Sequence, residues 1–189
     1  MLNVLYDGFP DEYNGYLIRT DYRIGLQILQ CLDDKDFTEN EKYAQVVYLL
    51  FGNGAPNDWN EAFEGVRWFI NGGRTDVVNE ESIEPILDFM VDNRRIRTAF
   101  LRYYGIDLSK EYMHYFDFMD RLSDIGECAL ANVMQIRGRD ENDKNLDSKT
   151  RERLRRLKKE FGLHRESKFT DDQQEQLDAF MEMIKADRK

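Results

Sequence analysis

Histidine and cysteine are the residues that most often bind metals or act in catalysis, and this sequence has few of them in suitable spacing. His114 and His164 are its two histidines, and no HxxxH or HExxH pattern surrounds either one. Cys31 and Cys128 lie far apart without a CxxC pair, which argues against a zinc site and against a disulfide framework. We therefore expect no metal site, and we interpret His114 as a packed or hydrogen-bonded core residue.

Carboxylate pairs and glycine-rich loops offer no better basis for catalysis. The acidic pairs at 33–34 and 171–172 lack the apolar surroundings that would shift a carboxylate pKa, so we interpret them as solvated helix ends. No GxxxxGK[ST], GxGxxG or GxSxG motif occurs, and the glycines at 52–54 and 72–73 follow predicted helices, as helix-ending residues do. The sequence predicts a protein that is not an enzyme and needs no cofactor.

The stretch from Ile106 to Arg137 is the first candidate for binding because it is dense in aromatic residues. Ser109 is a plausible N-cap, and the apolar residues that follow it recur at helical spacing. The apolar face is wider than a surface helix needs, so the helix is either central to the core or in contact with another protein. Both interpretations stay open, and the residues proposed for partner binding or self-association are Tyr112, Tyr115, Phe116 and Met119.

The second candidate is a basic segment, KTRERLRRLKK, from Lys149 to Lys159. It carries seven basic residues and one acidic residue in a chain that is otherwise acidic. Such runs are usually solvated helix faces, and this one could also dock on the protein's own acidic surface. The alternative is a site for an acidic partner protein, and its candidate residues are Arg153, Arg155, Arg156 and Lys159.

The overall charge limits the partners that we expect. Twenty-seven basic residues against 37 acidic ones give a formal net charge of −10, which repels phosphate backbones and anionic lipid headgroups. The sequence contains neither an apolar run long enough to span a membrane nor a signal-peptide pattern at its start. We expect a soluble protein that binds neither nucleic acid nor membranes.

Helical periodicity runs through most of the chain and predicts a mainly α fold, a compact bundle of about seven or eight helices joined by short loops. Alternation at residues 2–6 and turn signals at 7–8 and 14–15 predict a small N-terminal β-hairpin. Capping residues predict where the helices begin. The predicted starts are Thr20 or Asp21, Thr38 with Glu41 in a capping box, Asn57 or Asp58, Ser82 with Pro85, and Thr170 in a second capping box.

Three further predictions concern where particular side chains point. The helix that starts near Ser82 should run to Tyr104 and end at Gly105. Its polar residues 92–95 should form a solvated face or a kink, and Met90 and Tyr103 should face inward. Trp59 is predicted to be an inward-facing residue of the preceding helix.

Composition divides the chain into four parts. Residues 1–20 form the hairpin packed on the core, and residues 21–138 form a helical core domain. Residues 139–146 contain almost no apolar side chain, which indicates an exposed loop or hinge. Residues 147–189 form a C-terminal helical extension that ends in the helix predicted from Thr170.

Several motif blocks resemble a known family. They are DNRRIRTAFLRYYGIDL at 92–108, MHYFDFMDRLSD at 113–124, VMQIRGRD at 133–140 and KTRERLRRLKKEFGL at 149–163. Together with the TDYR entry at 20–23 and the YLLFG helix end at 48–52, they resemble the bacteriophage gene-product-fifteen family of siphophages and prophages of Gram-positive bacteria. The resemblance covers residues 15–163.

The resemblance implies a non-enzymatic role in phage assembly. Members resemble tail assembly chaperones, which coat the long tape measure protein in the host cytoplasm, keep it soluble and yield to tail tube subunits. The implied partners are therefore the tape measure protein and the tail tube protein, and self-association into a homo-oligomer is expected. The alternative is a structural tail or head-tail connector component that stays in the virion.

Overall fold

The computed structural model describes residues 4–74 and 85–163. Within these residues the chain forms seven α-helices and one two-stranded antiparallel hairpin, which confirms the predicted mainly α fold with a small N-terminal hairpin. The elements are β1 (Glu12–Tyr13), β2 (Tyr16–Leu17), α1 (Tyr22–Asp33), α2 (Glu39–Phe51), α3 (Trp59–Ile70), α4 (Asn93–Tyr104), α5 (Tyr115–Ser123), α6 (Ala129–Gly138) and α7 (Ser148–Phe161). The chain divides into two compact units, Met1–Arg139 and Asp140–Lys189.

The hairpin is shorter than the sequence predicts and turns at its second turn signal. Asn14 and Gly15 have φ values of 49° and 84°, the left-handed conformation that two-residue hairpin turns require. Tyr13 pairs with Tyr16 across the turn. Residues 4–6 form a turn instead of the predicted strand, and Leu2 lies outside the described residues.

The first three helices begin where their capping residues predict. Asp21 accepts a hydrogen bond from the backbone N–H of Arg23 at 2.9 Å, and Asp58 caps α3 in the same way. Thr38 and Glu41 form the predicted capping box at the start of α2. Trp59 is 63% exposed, however, so its predicted inward position is wrong. It lies one turn before the first buried residue of α3, where the helix extends past the core.

Helix α4 begins at Asn93 rather than near Pro85, so the predicted long helix is wrong at its start. The carboxylate of Asp88 accepts hydrogen bonds from the backbone N–H groups of Met90 at 2.8 Å and Val91 at 2.9 Å, which holds these residues in a turn. Met90 and Tyr103 are 63% and 40% exposed, so the prediction that both side chains face inward is wrong. Gly105 ends α4 in the left-handed conformation, as predicted. Ser82 and the helix predicted from Thr170 lie outside the described residues.

Asp92 is completely buried, so the expected solvated face is wrong at this residue. Its carboxylate accepts hydrogen bonds from both terminal nitrogens of Arg137, at 2.5 and 3.2 Å, and from Arg95 at 2.9 Å. Burial alone would raise the pKa of Asp92, but the hydrogen bonds from Arg137, Asp88 and Arg95 hold the pKa below its ordinary value. The ion pair ties the start of α4 to α6.

Helix α5 begins at Tyr115, not after Ser109 as predicted. The N–H of Tyr22 donates to the carbonyl of Met113 at 2.9 Å, and the N–H of Tyr115 donates to the carbonyl of Thr20 at 2.7 Å. This pair of hydrogen bonds keeps the residues before α5 extended beside the residues before α1, so they cannot be helical. Ser109 instead donates its hydroxyl hydrogen to Asp107 in a turn.

The core of the first unit is an aromatic cluster centred on α5. Tyr115 stacks on Phe69 of α3 at 4.9 Å between ring centroids, and Phe118 stacks on Phe100 of α4 at 5.1 Å. Gly25 of α1 faces the ring of Tyr115 so closely that a Cβ atom there would lie 2.1 Å from Cδ2 of the ring. Helices α1 and α5 therefore approach each other at a position that admits only glycine.

The second unit contributes α7 to the described residues. Asp147 caps this helix by accepting a hydrogen bond from the N–H of Thr150 at 2.9 Å. Arg151 donates to the carbonyls of Asp143 at 3.3 Å and Leu146 at 3.1 Å, which fastens the preceding loop to the helix.

Candidate functional site

A pocket of about 250 Å³ opens in the first unit between α1, the first turns of α4 and the segment that leads to α5. Its inner surface is apolar and its mouth is polar. The apolar lining consists of Tyr22, Leu26, Phe89, Ile96, Leu108 and Phe118, and the polar lining consists of Asn93, Arg94, Arg97 and Ser109. Such a site can hold an apolar group and orient it with a few polar contacts.

Arg23 of α1 holds one wall of the pocket in place. Its guanidinium donates to the backbone carbonyls of Leu108 at 2.7 Å and Glu111 at 3.1 Å, and it also pairs with the carboxylate of Asp21. The hydroxyl of Tyr22 donates to the same Leu108 carbonyl at 2.7 Å. Segment 107–113 has no helix of its own, so these hydrogen bonds supply the partners that its carbonyls need.

A second anchor joins this wall to α4. Arg97 donates two hydrogen bonds to the carboxylate of Asp107, at 2.9 and 2.8 Å, in the forked geometry that suits a guanidinium and a carboxylate. The hydrogen bonds from Arg97 and then from Ser109 hold the pKa of Asp107 well below its ordinary range. The pocket mouth therefore keeps this ion pair across the ordinary pH range.

Arg94 differs from the other arginines of α4. Arg95 pairs with Asp92, Arg97 pairs with Asp107, and Arg102 lies over the ring of Tyr103 at 5.7 Å. Arg94 is exposed at the pocket mouth, and within residues 4–74 and 85–163 it has neither a hydrogen bond nor an ion pair. It is a positive group available to a partner.

The structure separates the four aromatic-stretch residues that the sequence groups together. Tyr115 and Phe116 are 0% and 3% exposed and pack in the core, which is one of the two interpretations left open. Burial raises the pKa of Tyr115 to about 12. Met119 is half-buried against the core. Tyr112 is 64% exposed and lies on the segment that forms the pocket wall, where its hydroxyl is 2.7 Å from that of Thr20.

The basic candidates all lie on α7 and are exposed. Arg153, Arg155, Arg156 and Lys159 project from this helix into solvent, and the Nε of Arg155 is 4.0 Å from a carboxylate oxygen of Glu141 within the same unit. This weak ion pair is of the exposed kind that contributes little to stability. The arrangement is that of a positively charged helix face.

His114 has a structural role at the start of α5. Its Nδ1 accepts a hydrogen bond from the N–H of Phe116 at 3.0 Å, and its Nε2 lies 3.0 Å from the carbonyl of Pro10. Both contacts are satisfied by a neutral ring that carries its proton on Nε2. Burial lowers the pKa of His114, while the Pro10 carbonyl and nearby carboxylates oppose this shift. The expectation of a hydrogen-bonded histidine is thereby confirmed.

Two properties of the described residues concern metal ions and membranes. In that part of the chain no three His, Cys, Asp or Glu side chains come together in a way that could hold a metal ion. Likewise, among its helices none is both long and apolar enough to span a membrane.

Sequence reasoning missed the pocket because its lining comes from distant segments of the chain. Leu26 and Phe89, for example, belong to different predicted helices. One local signal was present: α4 has four arginines and no acidic residue, so Arg94 lacks an acidic neighbour on the same helix face. That composition indicates that some of these arginines have partners elsewhere.

Comparison with known proteins agrees with the motif blocks in the sequence. The model of the family described as Bacteriophage Gp15 protein matches residues 7–163. No curated protein and no solved structure gives a significant match. The family match spans both the helical core and α7, and it includes every residue of the pocket. The chain therefore belongs to the Bacteriophage Gp15 protein family, which makes it a phage structural or assembly protein.

Proposed function

We propose that the protein is a tail assembly chaperone that binds the tape measure protein in the host cytoplasm and keeps it soluble during tail assembly. The observation that carries this proposal is the open pocket of the first unit, with an apolar interior and a mouth lined by arginines. A long helical rod that exposes an apolar face needs such receptor sites, because an amphipathic helix binds by inserting apolar side chains into apolar grooves.

The charge of the chain supports the same role. A net charge of −10 keeps a complex soluble by mutual repulsion between coated rods. A pocket with room for an apolar side chain gives each copy a limited contact with the rod, and such contacts can be displaced when tail tube subunits polymerise. The tail tube protein is thus a proposed competitor for the same rod.

We also propose that copies of the protein self-associate along the rod, since a long rod requires many copies. Exposed apolar side chains are available for such contacts, among them Trp59 and Leu101, which are 63% and 47% exposed. The basic face of α7, with Arg153 and Arg156, is a further candidate for contact with acidic surfaces of neighbouring copies.

Co-expression with the tape measure protein of the same phage tests the proposal. The soluble fraction of the tape measure protein, measured after centrifugation of the lysate, should rise when this chain is present, and the two proteins should copurify. A tape measure protein that stays equally insoluble in its presence would contradict the chaperone role.

Mass spectrometry of purified virions separates this proposal from a structural role in the particle. A chaperone acts during assembly and should be scarce in mature virions relative to the tail tube protein. Stoichiometric amounts of this chain in virions would favour a tail or head-tail connector component.

A further inference from the structure

We infer that the pocket recognises an apolar side chain of a partner helix together with an acidic side chain one turn away, which pairs with Arg94. This inference rests on the proposed function and names the recognition chemistry of its binding site. Its basis is the combination of an apolar interior with an arginine at the mouth that makes no hydrogen bond or ion pair among the described residues.

The size of the pocket limits what can fill it. Its volume of about 250 Å³ falls below the range of roughly 300–1,000 Å³ that is typical of sites for whole small-molecule ligands. The rings of Phe89 and Phe118 and the side chain of Leu26 form an interior suited to an apolar group. The occupant that fits is a large apolar side chain presented by another protein.

The position of Arg94 in its helix points to a partner outside the described chain. It is the second residue of α4, and a positive charge in the first turn of a helix is unfavourable because the helix dipole is positive there. No described carboxylate compensates for this, whereas Arg95 and Arg97 each have one. Nothing in residues 4–74 and 85–163 therefore balances the charge of Arg94, and an acidic group of the partner supplies the counter-charge.

Helix geometry connects the two parts of the site. Residues three or four apart on a helix lie on the same face, with Cβ atoms about 5–6 Å apart. When one apolar side chain of a partner helix enters the pocket, an Asp or Glu one turn away on that face lies over the mouth. The long side chain of Arg94 reaches such a carboxylate without any change in α4.

Peptide binding tests this inference directly. Fluorescein-labelled peptides of about 20 residues, roughly 30 Å when helical, can tile the tape measure protein of the same phage, and fluorescence anisotropy measures their binding to the full-length chain. The tightest binders should contain an apolar residue with Asp or Glu three or four positions away. Replacing that apolar residue by Ala should weaken binding roughly 10-fold or more, because the pocket then no longer buries a large apolar side chain.

Charge reversal at Arg94 tests the second part of the inference, the pairing of Arg94 with an acidic residue of the partner. Arg94→Glu should weaken the same peptides about 3- to 10-fold at low salt and less at high salt, since charges at a contact rim act through screened attraction. A peptide in which the acidic residue is changed to Lys should bind this variant better than the unaltered peptide does. The melting temperature of Arg94→Glu should be unchanged or higher, because a negative charge suits the first turn of a helix.

Arg102→Glu is the matched control, with the same change of charge in the last turn of the same helix. It should leave peptide affinity within about twofold, because Arg102 does not line the pocket and an exposed charge contributes little at a distance. Equal peptide binding by Arg94→Glu and the parent chain would overturn the inference and leave the proposed function intact. Failure of the parent to bind any peptide or to solubilise the full tape measure protein would instead reject the proposed function.

A second copy of this chain is the competing occupant of the pocket. Sedimentation velocity on the protein alone separates the two cases. If Arg94→Glu lowers the oligomeric state of the free protein and leaves peptide binding unchanged, the pocket binds another copy and the inference is overturned. An unchanged oligomeric state together with weakened peptide binding supports it.

Discussion

Gly25→Ala should destabilise the protein, although alanine is the better helix former. Gly25 lies in α1 against the ring of Tyr115, and an added Cβ would lie 2.1 Å from Cδ2, 2.4 Å from Cε2 and 2.7 Å from Cγ of that ring. Carbon atoms pack at about 3.5–4.0 Å, so the ring or the helix must move by more than about 1 Å. Tyr115 is completely buried and stacks on Phe69, so the ring has no free space to enter.

Two opposing contributions set the change in the free energy of unfolding caused by Gly25→Ala. Alanine in a helix interior is favoured over glycine by roughly 0.5–1 kcal/mol. Overpacking a filled core costs typically about 1–3 kcal/mol and occasionally more, and the close contact with Cγ, near the backbone of Tyr115, favours the upper end. We expect a net loss of about 1–2.5 kcal/mol in the free energy of unfolding, which lowers the melting temperature by roughly 2–10 °C in a chain of this size.

Urea denaturation followed by circular dichroism measures this loss. Gly54→Ala is the matched control, because a Cβ at Gly54 meets no atom within 4 Å, and it should change stability by less than about 0.5 kcal/mol. Tyr115→Leu removes the ring, so adding Gly25→Ala to that variant should cost at least about 1 kcal/mol less than it does in the parent chain. A Gly25→Ala protein as stable as the parent would refute the close approach of α1 and α5.

Three other changes test other parts of the fold. Asp92→Asn should cost about 3–5 kcal/mol in the free energy of unfolding, because it removes the negative charge that Asp92 places against the buried guanidinium of Arg137. A loss below about 1 kcal/mol in urea denaturation would contradict the buried ion pair. The pKa of His114 is lower in the folded protein than in the unfolded chain, so the unfolded chain binds the proton more readily. The contribution of neutral His114 to the free energy of unfolding is therefore fully present above about pH 6.5, and it is lost as the pH falls through the folded pKa. Urea midpoints between pH 8 and 5 should show this fall, and His114→Asn, which keeps a capping side chain, should reduce it. Phe116→Ala should lower the free energy of unfolding by about 3–5 kcal/mol, because the ring is buried. An unchanged melting temperature together with weaker partner binding would instead place Phe116 at an interface.

The amino-acid sequence by itself determined the features that depend on neighbouring residues. The starts of α1, α2 and α3 were predicted because a capping side chain and the amide it binds are two or three residues apart, as in Thr38 and Glu41. The end of α4 at Gly105 was also predicted, because the left-handed conformation at a helix end depends on the glycine itself. The mainly α fold and the family also follow from patterns that can be read along the chain.

Tertiary contacts decided the features that depend on distant residues. The sequence of 109–114 is compatible with a helix, but Ser109 lies in a turn, and hydrogen bonds to residues 20 and 22 hold residues 113–115 extended up to the start of α5. Asp92 has the composition of a surface residue and is buried only because Arg137, from another helix, supplies its counter-charge. The pocket is a third case, since α1, α4 and the segment before α5 each contribute part of its lining. Local preferences are worth about 1 kcal/mol or less per residue, so the burial and pairing that the assembled core imposes override them wherever the two disagree.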